Sequence, residues 1–308
     1  MDSVLECLPR GSRIAILRLR SLGDCVLTTP ALDILKRFRP DLRLAIFVED
    51  RFREIFEGNP DLAEIHPPEL AGLRRFRPQL CLNFHGGTRS AWMTELSGAR
   101  FRAGFGHYRQ QFVYNLAIPR AQETLHLERQ VHTAEHLASA IFFLGAPIAE
   151  IPRAKLFPPS PTPPALEPGS AIIHAVATTP EKTWSPVNFL AIADRLAQSG
   201  PSPIFIGAPD DDLTPFRRYP TIQTSLSGVK SLLASASLFV GNDSGPAHMA
   251  AAFGVPSIVI FGPSDAAIWG PWRTTGEAIA APGGGSGGIA DVTVPQVLDA
   301  LGRLRVPA

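Results

Sequence analysis

The chain is poor in several things, and each shortage excludes a class of protein. Its 308 residues carry three cysteines, at positions 7, 25 and 81. Odd in number and unevenly spaced, they form neither a disulfide framework nor a metal-ligand pattern, and read as free buried thiols of a reducing compartment. There is no charge excess either. Lys and Arg number 29 against 28 Asp and Glu, a net of +1, whereas a nucleic-acid binder usually shows a basic surplus. No apolar run is long enough to span a bilayer. The first ten residues place Asp2, Glu6 and Pro9 within a short apolar stretch, which does not read as a signal peptide. These features predict a cytosolic protein with at most peripheral contact with a membrane surface. Zinc, P-loop and nucleophile-elbow patterns are missing.

Two literal motif matches carry little. Asp210-Asp211-Asp212 spells the D-x-D of metal-dependent glycosyltransferases, but it reads as the acidic opening of a helix, where acids are expected anyway. The run from Gly283 to Gly288 fits G-x-G-x-x-G yet follows no strand and opens no helix. It reads as a flexible loop and not as a dinucleotide fingerprint.

What the chain does have is strand–helix alternation, twice over. Predicted strands cover 13–18, 42–48 and 79–84, with helices over 29–38, 51–57 and 127–144. Seven prolines between 152 and 168 mark an extended linker. Alternation then resumes with strands over 171–174, 202–206, 238–241 and 257–261. Helices follow over 187–198, 229–236, 247–253 and 294–305. Such alternation implies parallel sheets with crossover helices. The predicted fold is therefore α/β, with two Rossmann-like domains over 1–157 and 165–308 facing each other across a cleft. The last helix is free to pack back on the N-terminal domain.

Two segments, 18–32 and 240–256, share a plan: apolar strand, small-residue turn with an Asp, apolar helix. Ligands bind open α/β sheets at the carboxyl edge, and helix N-termini receive phosphates there. In the first segment, Asp24 can accept a proton from a substrate hydroxyl or simply cap its helix; position alone favours the cap. In the second, Asp243, Ser244 and Gly245 let a ligand approach the backbone, and Pro246 suits a first helical turn. His248 follows as a ligand or, more simply, a packed histidine. Thr178, Thr179 and Lys182 follow the first strand of the second half. They supply the hydroxyls and mobile cation that suit a diphosphate, unless the segment is only a solvent loop.

At these residues the chain resembles glycosyltransferase family 9, the ADP-heptose:lipopolysaccharide heptosyltransferases. The resemblance lies in ordered blocks over 18–32, 85–90 with Gly104-Phe105, 174–184, 207–209 and 243–264. It implies the GT-B fold, with an N-terminal acceptor domain and a C-terminal nucleotide-sugar domain. It also implies inverting heptosyl transfer from a donor such as ADP-heptose to an anionic glycan of the lipopolysaccharide-core kind, with no metal and no cofactor. It assigns Asp24 as general base, and gives Thr178, Thr179, Lys182, Asp243, Ser244, Gly245 and His248 to the donor. Asp211 is assigned to the donor ribose and Arg89 to the anionic acceptor. The chain departs from the family near its end, where many relatives carry several cysteines and this sequence has Pro282 and the glycine run. Two alternatives stay open: a nucleotide-sugar epimerase of the same fold, which calls for more carboxylates than the chain offers, and an inactive nucleotide-sugar-binding scaffold.

Overall fold

The structure, a computed structural model, describes residues 3–159, 166, 169–281 and 288–304. Much of the proline-rich stretch (160–165 and 167–168), Pro282, the glycine run over 283–287 and Arg305 lie outside them. The chain divides into two compact units, Met1–Pro152 and Arg153–Ala308.

Strands of the first unit are β1 (Arg13–Leu17), β2 (Arg43–Phe47), β3 (Glu64–His66), β4 (Leu80–Asn83), β5 (Phe101–Phe105) and β6 (Leu116–Ile118). Its helices are α1 (Val4–Cys7), α2 (Leu22–Phe38), α3 (Arg53–Phe56), α4 (Leu70–Phe76), α5 (Thr88–Glu95), α6 (Ala121–Leu125) and α7 (Thr133–Phe143). The second unit has β7 (Ser170–His174), β8 (Ser202–Gly207), β9 (Thr221–Gln223), β10 (Leu238–Asn242), β11 (Ser257–Phe261) and β12 (Gly276–Ala280). Its helices are α8 (Pro186–Ser199), α9 (Leu226–Ala234), α10 (Gly245–Phe253), α11 (Ala266–Trp269) and α12 (Val294–Arg303).

All pairings are parallel. The strand orders are β3-β2-β1-β4-β5-β6 and β12-β11-β10-β7-β8-β9. Read from each unit's own first strand, both are the 3-2-1-4-5-6 order of the doubly wound fold, with its switch point between strands one and four. Buried on both faces, the inner strands are unbroken apolar runs. Ile14 to Leu17 and Ala171 to Ile173 have no exposed surface. In the second unit Trp184, Phe189, Phe205 and Phe216 fill the layer between sheet and helices, and α12 packs there on α8, β11 and β12. Among the described residues no helix is long and apolar enough to cross a membrane.

Several boundaries differ from the sequence expectations, each for a local reason. Pro30 suggests a helix starting at Thr29, because proline suits a first turn. The helix instead starts at Leu22 and runs through Pro30. The Val26 carbonyl, which Pro30 cannot serve, accepts from the Thr29 hydroxyl at 2.8 Å. The helix expected over 127–144 is interrupted. The segment ahead of it turns at His126, whose φ is +54°, and α7 begins after His132. There the ring Nδ1 of His132 accepts from the Ala134 N–H at 3.1 Å, and Glu135 accepts from the His132 N–H at 2.8 Å. Asp210 to Asp212 open no α-helix; they form a turn ahead of a single 3₁₀ turn over Thr214–Phe216. Cys25 and Cys81 are buried, as expected, whereas Cys7 is exposed at the end of a one-turn helix.

Candidate active site

The two Asp-bearing motifs do not occupy equivalent places in their units. The first follows β1, the first strand of its sheet; the second follows β10, the fourth strand of its own. Both nonetheless lie beside a switch point, the place where open α/β sheets hold ligands.

In the first unit, β1 delivers Arg18 to its carboxyl end. The side chain is only 5% exposed. Its Nη1 lies 3.5 Å from Asp24 Oδ1, and its Nε is buried with no hydrogen-bond partner. A buried guanidinium with an idle donor is costly, so it marks a place shaped for something other than stability. Asp24 is not the helix cap. Ser21 is the N-cap and Asp24 is the third helical residue, where an acid interacts favourably with the helix dipole. Its Oδ2 accepts from the Ser21 hydroxyl at 3.0 Å. The side chain keeps 21% of its surface exposed.

Across the switch point, β4 ends in Asn83, whose Oδ1 accepts from the His85 and Gly86 N–H groups at 3.0 and 3.1 Å. Gly86 has φ +72°, and a Cβ there would sit 2.6 Å from the Tyr108 ring; only glycine lets this turn close. His85 Nδ1 meets the Arg20 carbonyl at 3.2 Å. Burial, and then the charge of Arg18, push its pKa down. His136 stacks on Phe105 at 3.8 Å, and its pKa is pushed down to about 4 by burial, His107 and Arg18. Burial pushes Cys25, next to Asp24, up to about 12, so this thiol is no nucleophile at neutral pH. Arg89 is exposed on α5, donating to the Pro68 carbonyl at 2.7 Å. Asp24 thus sits among one buried cation and neutral imidazoles.

In the second unit, the loop after β7 is pinned to β10. Asn242, buried at the end of β10, accepts from the Trp184 N–H at 3.0 Å and donates to the Ala175 carbonyl at 3.0 Å. Trp184 Nε1 donates to the Val292 carbonyl at 2.8 Å. This holds Lys182 so that its Nζ reaches Asp243 Oδ2 at 2.9 Å. Thr179 caps the 3₁₀ turn that carries Lys182, and Thr178 is exposed beside it. Ser244 is the N-cap of α10 and makes no side-chain cap bond. Its hydroxyl instead meets His174 Nδ1 at 3.2 Å. Burial pushes the His174 pKa down to about 4. Gly245 and Pro246 form the first helical turn, and His248 lies buried one turn along.

Asp211 follows β8, the second strand, where doubly wound folds place the acid that reads a ribose hydroxyl. Its Oδ2 accepts from the Ala208 N–H at 2.6 Å, and a Cβ on Gly207 would sit 3.0 Å from Asp211 Cβ. Asp212 is also engaged locally, accepting from the Thr214 N–H at 2.9 Å. Among the described residues no cluster of three or more His, Cys, Asp or Glu side chains is arranged to hold a metal ion.

The sequence reading thus finds Lys182, Asp243 and Ser244 together, and Asp24 at the corresponding edge of the other sheet. Arg18, His85, His174 and Asn242 gain a place at these edges only from the structure. The sequence signals for them are a charged residue following an otherwise apolar strand, and an Asn ending the fourth strand in both units.

The sequence model of glycosyltransferase family 9 (heptosyltransferase) matches residues 72–284, more than half of the chain. The chain belongs to glycosyltransferase family 9. It is similar to lipopolysaccharide heptosyltransferase 1 of Pseudomonas aeruginosa, 26% identical over 302 residues, covering 84% of this chain and 81% of that one. Among solved structures, the family 9 glycosyltransferase of Veillonella parvula aligns with a TM-score of 0.81 at 19% identity, over 94% of this chain and 96% of that one. Escherichia coli heptosyltransferase WaaC, solved with ADP, aligns at 0.76 and 20% identity, over 94% and 99%. This family 9 glycosyltransferase therefore has the heptosyltransferase fold, two six-stranded parallel sheets in the GT-B manner.

Proposed function

We propose that this glycosyltransferase moves a heptose from ADP-heptose onto an anionic, lipid-linked glycan of the lipopolysaccharide-core kind, with inversion and without a metal. The unit over 1–157 holds the acceptor and the unit over 165–308 the donor. The observation that carries the reading is the charge arrangement at the two switch points: a carboxylate held by Arg18 and Ser21 in one unit, and a lysine, hydroxyls and a helix N-terminus in the other. The ADP bound to the related WaaC and the lipopolysaccharide heptosyltransferases among the relatives support the donor and the acceptor class.

In this mechanism the acceptor oxygen attacks the anomeric carbon as its proton passes to Asp24. The bond from that carbon to the diphosphate oxygen breaks on the opposite face, through an oxocarbenium-like transition state. The departing ADP gains negative charge. Lys182, the Thr178 and Thr179 hydroxyls, Ser244, Gly245 and the N-terminus of α10 stabilise it without a metal. Asp243 holds Lys182 in place and contacts the donor sugar, with His248 behind it. Asp211 takes the ribose, and Arg89 takes an anionic group of the acceptor. No observation favours an epimerase.

The test is calorimetry with ADP, UDP and GDP, followed by transfer from ADP-heptose with the product's anomeric configuration read by NMR. Selective ADP binding and an inverted product support the proposal. Preference for another nucleotide overturns the donor, and retention of configuration overturns the mechanism.

A further inference from the structure

Large aromatic side chains usually find cover; among the described residues Trp92, Phe112 and Phe143 do not, and the first two stand together. Phe112 is 72% exposed and Trp92 48% exposed, yet they touch each other edge to face, with ring centroids 6.3 Å apart. Leu96, 43% exposed, follows Trp92 by four residues and so lies on the same helical face. Trp92 sits on α5 and Phe112 in the 3₁₀ turn over Gln111–Val113. The two segments are joined by the Gln110 side chain, which donates to the Thr88 hydroxyl at 2.9 Å. Beneath them Ala91, Val113 and Tyr114 form a small buried cluster with Tyr108. The aromatic pair therefore stands on a packed base. Contiguous exposed apolar surface on a folded protein marks an interaction site.

The charge around the pair identifies the partner. Segments 88–96 and 106–112 contain a single acid, Glu95, and it is paired with Arg102 at 3.1 Å. The same segments carry Arg89, one turn before Trp92 on the same face, and Arg109, three residues before Phe112; both are exposed. Trp and Phe tips with arginines beside them and uncompensated positive charge match the composition of surfaces that sit at lipid headgroups. The pair is too small to hold a protein tightly, whereas an anionic bilayer offers both an apolar boundary and a negative potential.

We infer that Trp92, Leu96 and Phe112 dock this transferase onto an anionic phospholipid surface, with Arg109 meeting the headgroups. The inference rests on the proposed lipid-linked acceptor for its purpose, and on the exposed aromatic pair for its evidence. It also gives Arg89 a lipid-facing neighbourhood, in keeping with an acceptor anchored in that same surface.

The test is co-sedimentation of the full chain with vesicles of phosphatidylcholine alone and of phosphatidylcholine with phosphatidylglycerol at 70:30, at low and high salt. Tryptophan emission, with the contribution of Trp92 taken as the difference between the wild type and a variant lacking it, serves as a second readout. The wild type should bind the anionic vesicles at low salt, with blue-shifted emission, and release at high salt. The Trp92→Ser, Phe112→Ser double variant should lose binding by about tenfold or more, with its melting temperature and ADP affinity unchanged. Arg109→Glu should weaken binding to anionic vesicles only. Equal binding by the double variant, or no wild-type binding to anionic vesicles, overturns the inference. So does a wild-type dimer that dissociates in the double variant without any vesicle binding. Because none of these readouts requires turnover, failure of ADP binding would count against the proposed function and leave the docking result standing.

Discussion

Replacing Lys182 with Ala separates two consequences that the geometry ties together. Lys182 Nζ lies 2.9 Å from Asp243 Oδ2, with side chains 33% and 8% exposed. The ammonium has three donors, so it can hold Asp243 and still give a hydrogen bond to a diphosphate oxygen. Loss of that charge-assisted bond should weaken ADP by about 1.5–3 kcal/mol, roughly 10- to 150-fold in Kd. The variant also strands Asp243, which is the more buried partner. Removing one member of a buried pair costs about 3–5 kcal/mol, and the partial exposure of Lys182 lowers the expectation here to about 1–2 kcal/mol. The additional Asp243→Asn change removes the stranded charge, so the double variant should recover most of that stability and none of the ADP affinity. Calorimetry and denaturant unfolding on the single and double variants measure both. An unchanged Kd in Lys182→Ala would remove this lysine from the donor site, and an additive loss of stability in the double variant would refute the pairing.

Three further outcomes follow from the same sites. Arg18→Met exchanges a buried cation with an idle Nε for an apolar chain, while Asp24 keeps its partly exposed setting and the Ser21 hydroxyl. Stability should hold or rise by about 1–3 kcal/mol while turnover falls about tenfold or more; full turnover would show that Arg18 takes no part. His174 titrates near pH 4 in the folded protein against 6.5 for an unperturbed imidazole, so the unfolded chain binds more protons between these values. Its contribution to stability is intact above pH 6.5, falls by up to about 3 kcal/mol as pH drops to 4, and is flat below. His174→Gln should flatten that part of an unfolding-versus-pH curve, and an unaltered slope would contradict a buried neutral imidazole. Transfer should survive EDTA with no stimulation by magnesium or manganese; chelation that stops turnover, with recovery on adding either ion, would sink the metal-free mechanism.

Much of the fold was legible because the central strands are buried on both faces and so appear as unbroken apolar runs. No expected strand covers β3, β6 and β9, which have three residues each and too little pattern to register, or β5 and β12, whose five-residue runs are interrupted by Arg102 and Gly104 and by Glu277. Helix starts differ from the sequence pattern where a side chain does the work of the backbone. Thr29 covers for Pro30, and the ring of His132 caps α7. Both are local hydrogen bonds that residue preferences alone do not reveal. Lys182 and Asp243 each stand out in the sequence as a charged residue in a turn, though not as partners. Their contact spans 61 residues and depends on Asn242 and Trp184, whose roles appear only once β7 and β10 lie side by side. In the sequence Asp24 suits a cap or a base, because residue preferences do not place it relative to the N-cap. Its position as third helical residue, with Ser21 before it, removes the cap and leaves the carboxylate available.

The central claim is that Asp24 takes the acceptor's proton, and Asp24→Asn tests it most directly. Asn retains an oxygen that can accept from Ser21, gives up the favourable dipole interaction and leaves the buried Arg18 without its carboxylate, a loss of about 1–2 kcal/mol. It cannot accept the proton. Turnover with ADP-heptose should fall about 10²–10⁴-fold while ADP affinity stays near wild type and the protein remains folded at the assay temperature. Near-normal turnover in that variant would contradict the account, whatever the donor affinity proved to be.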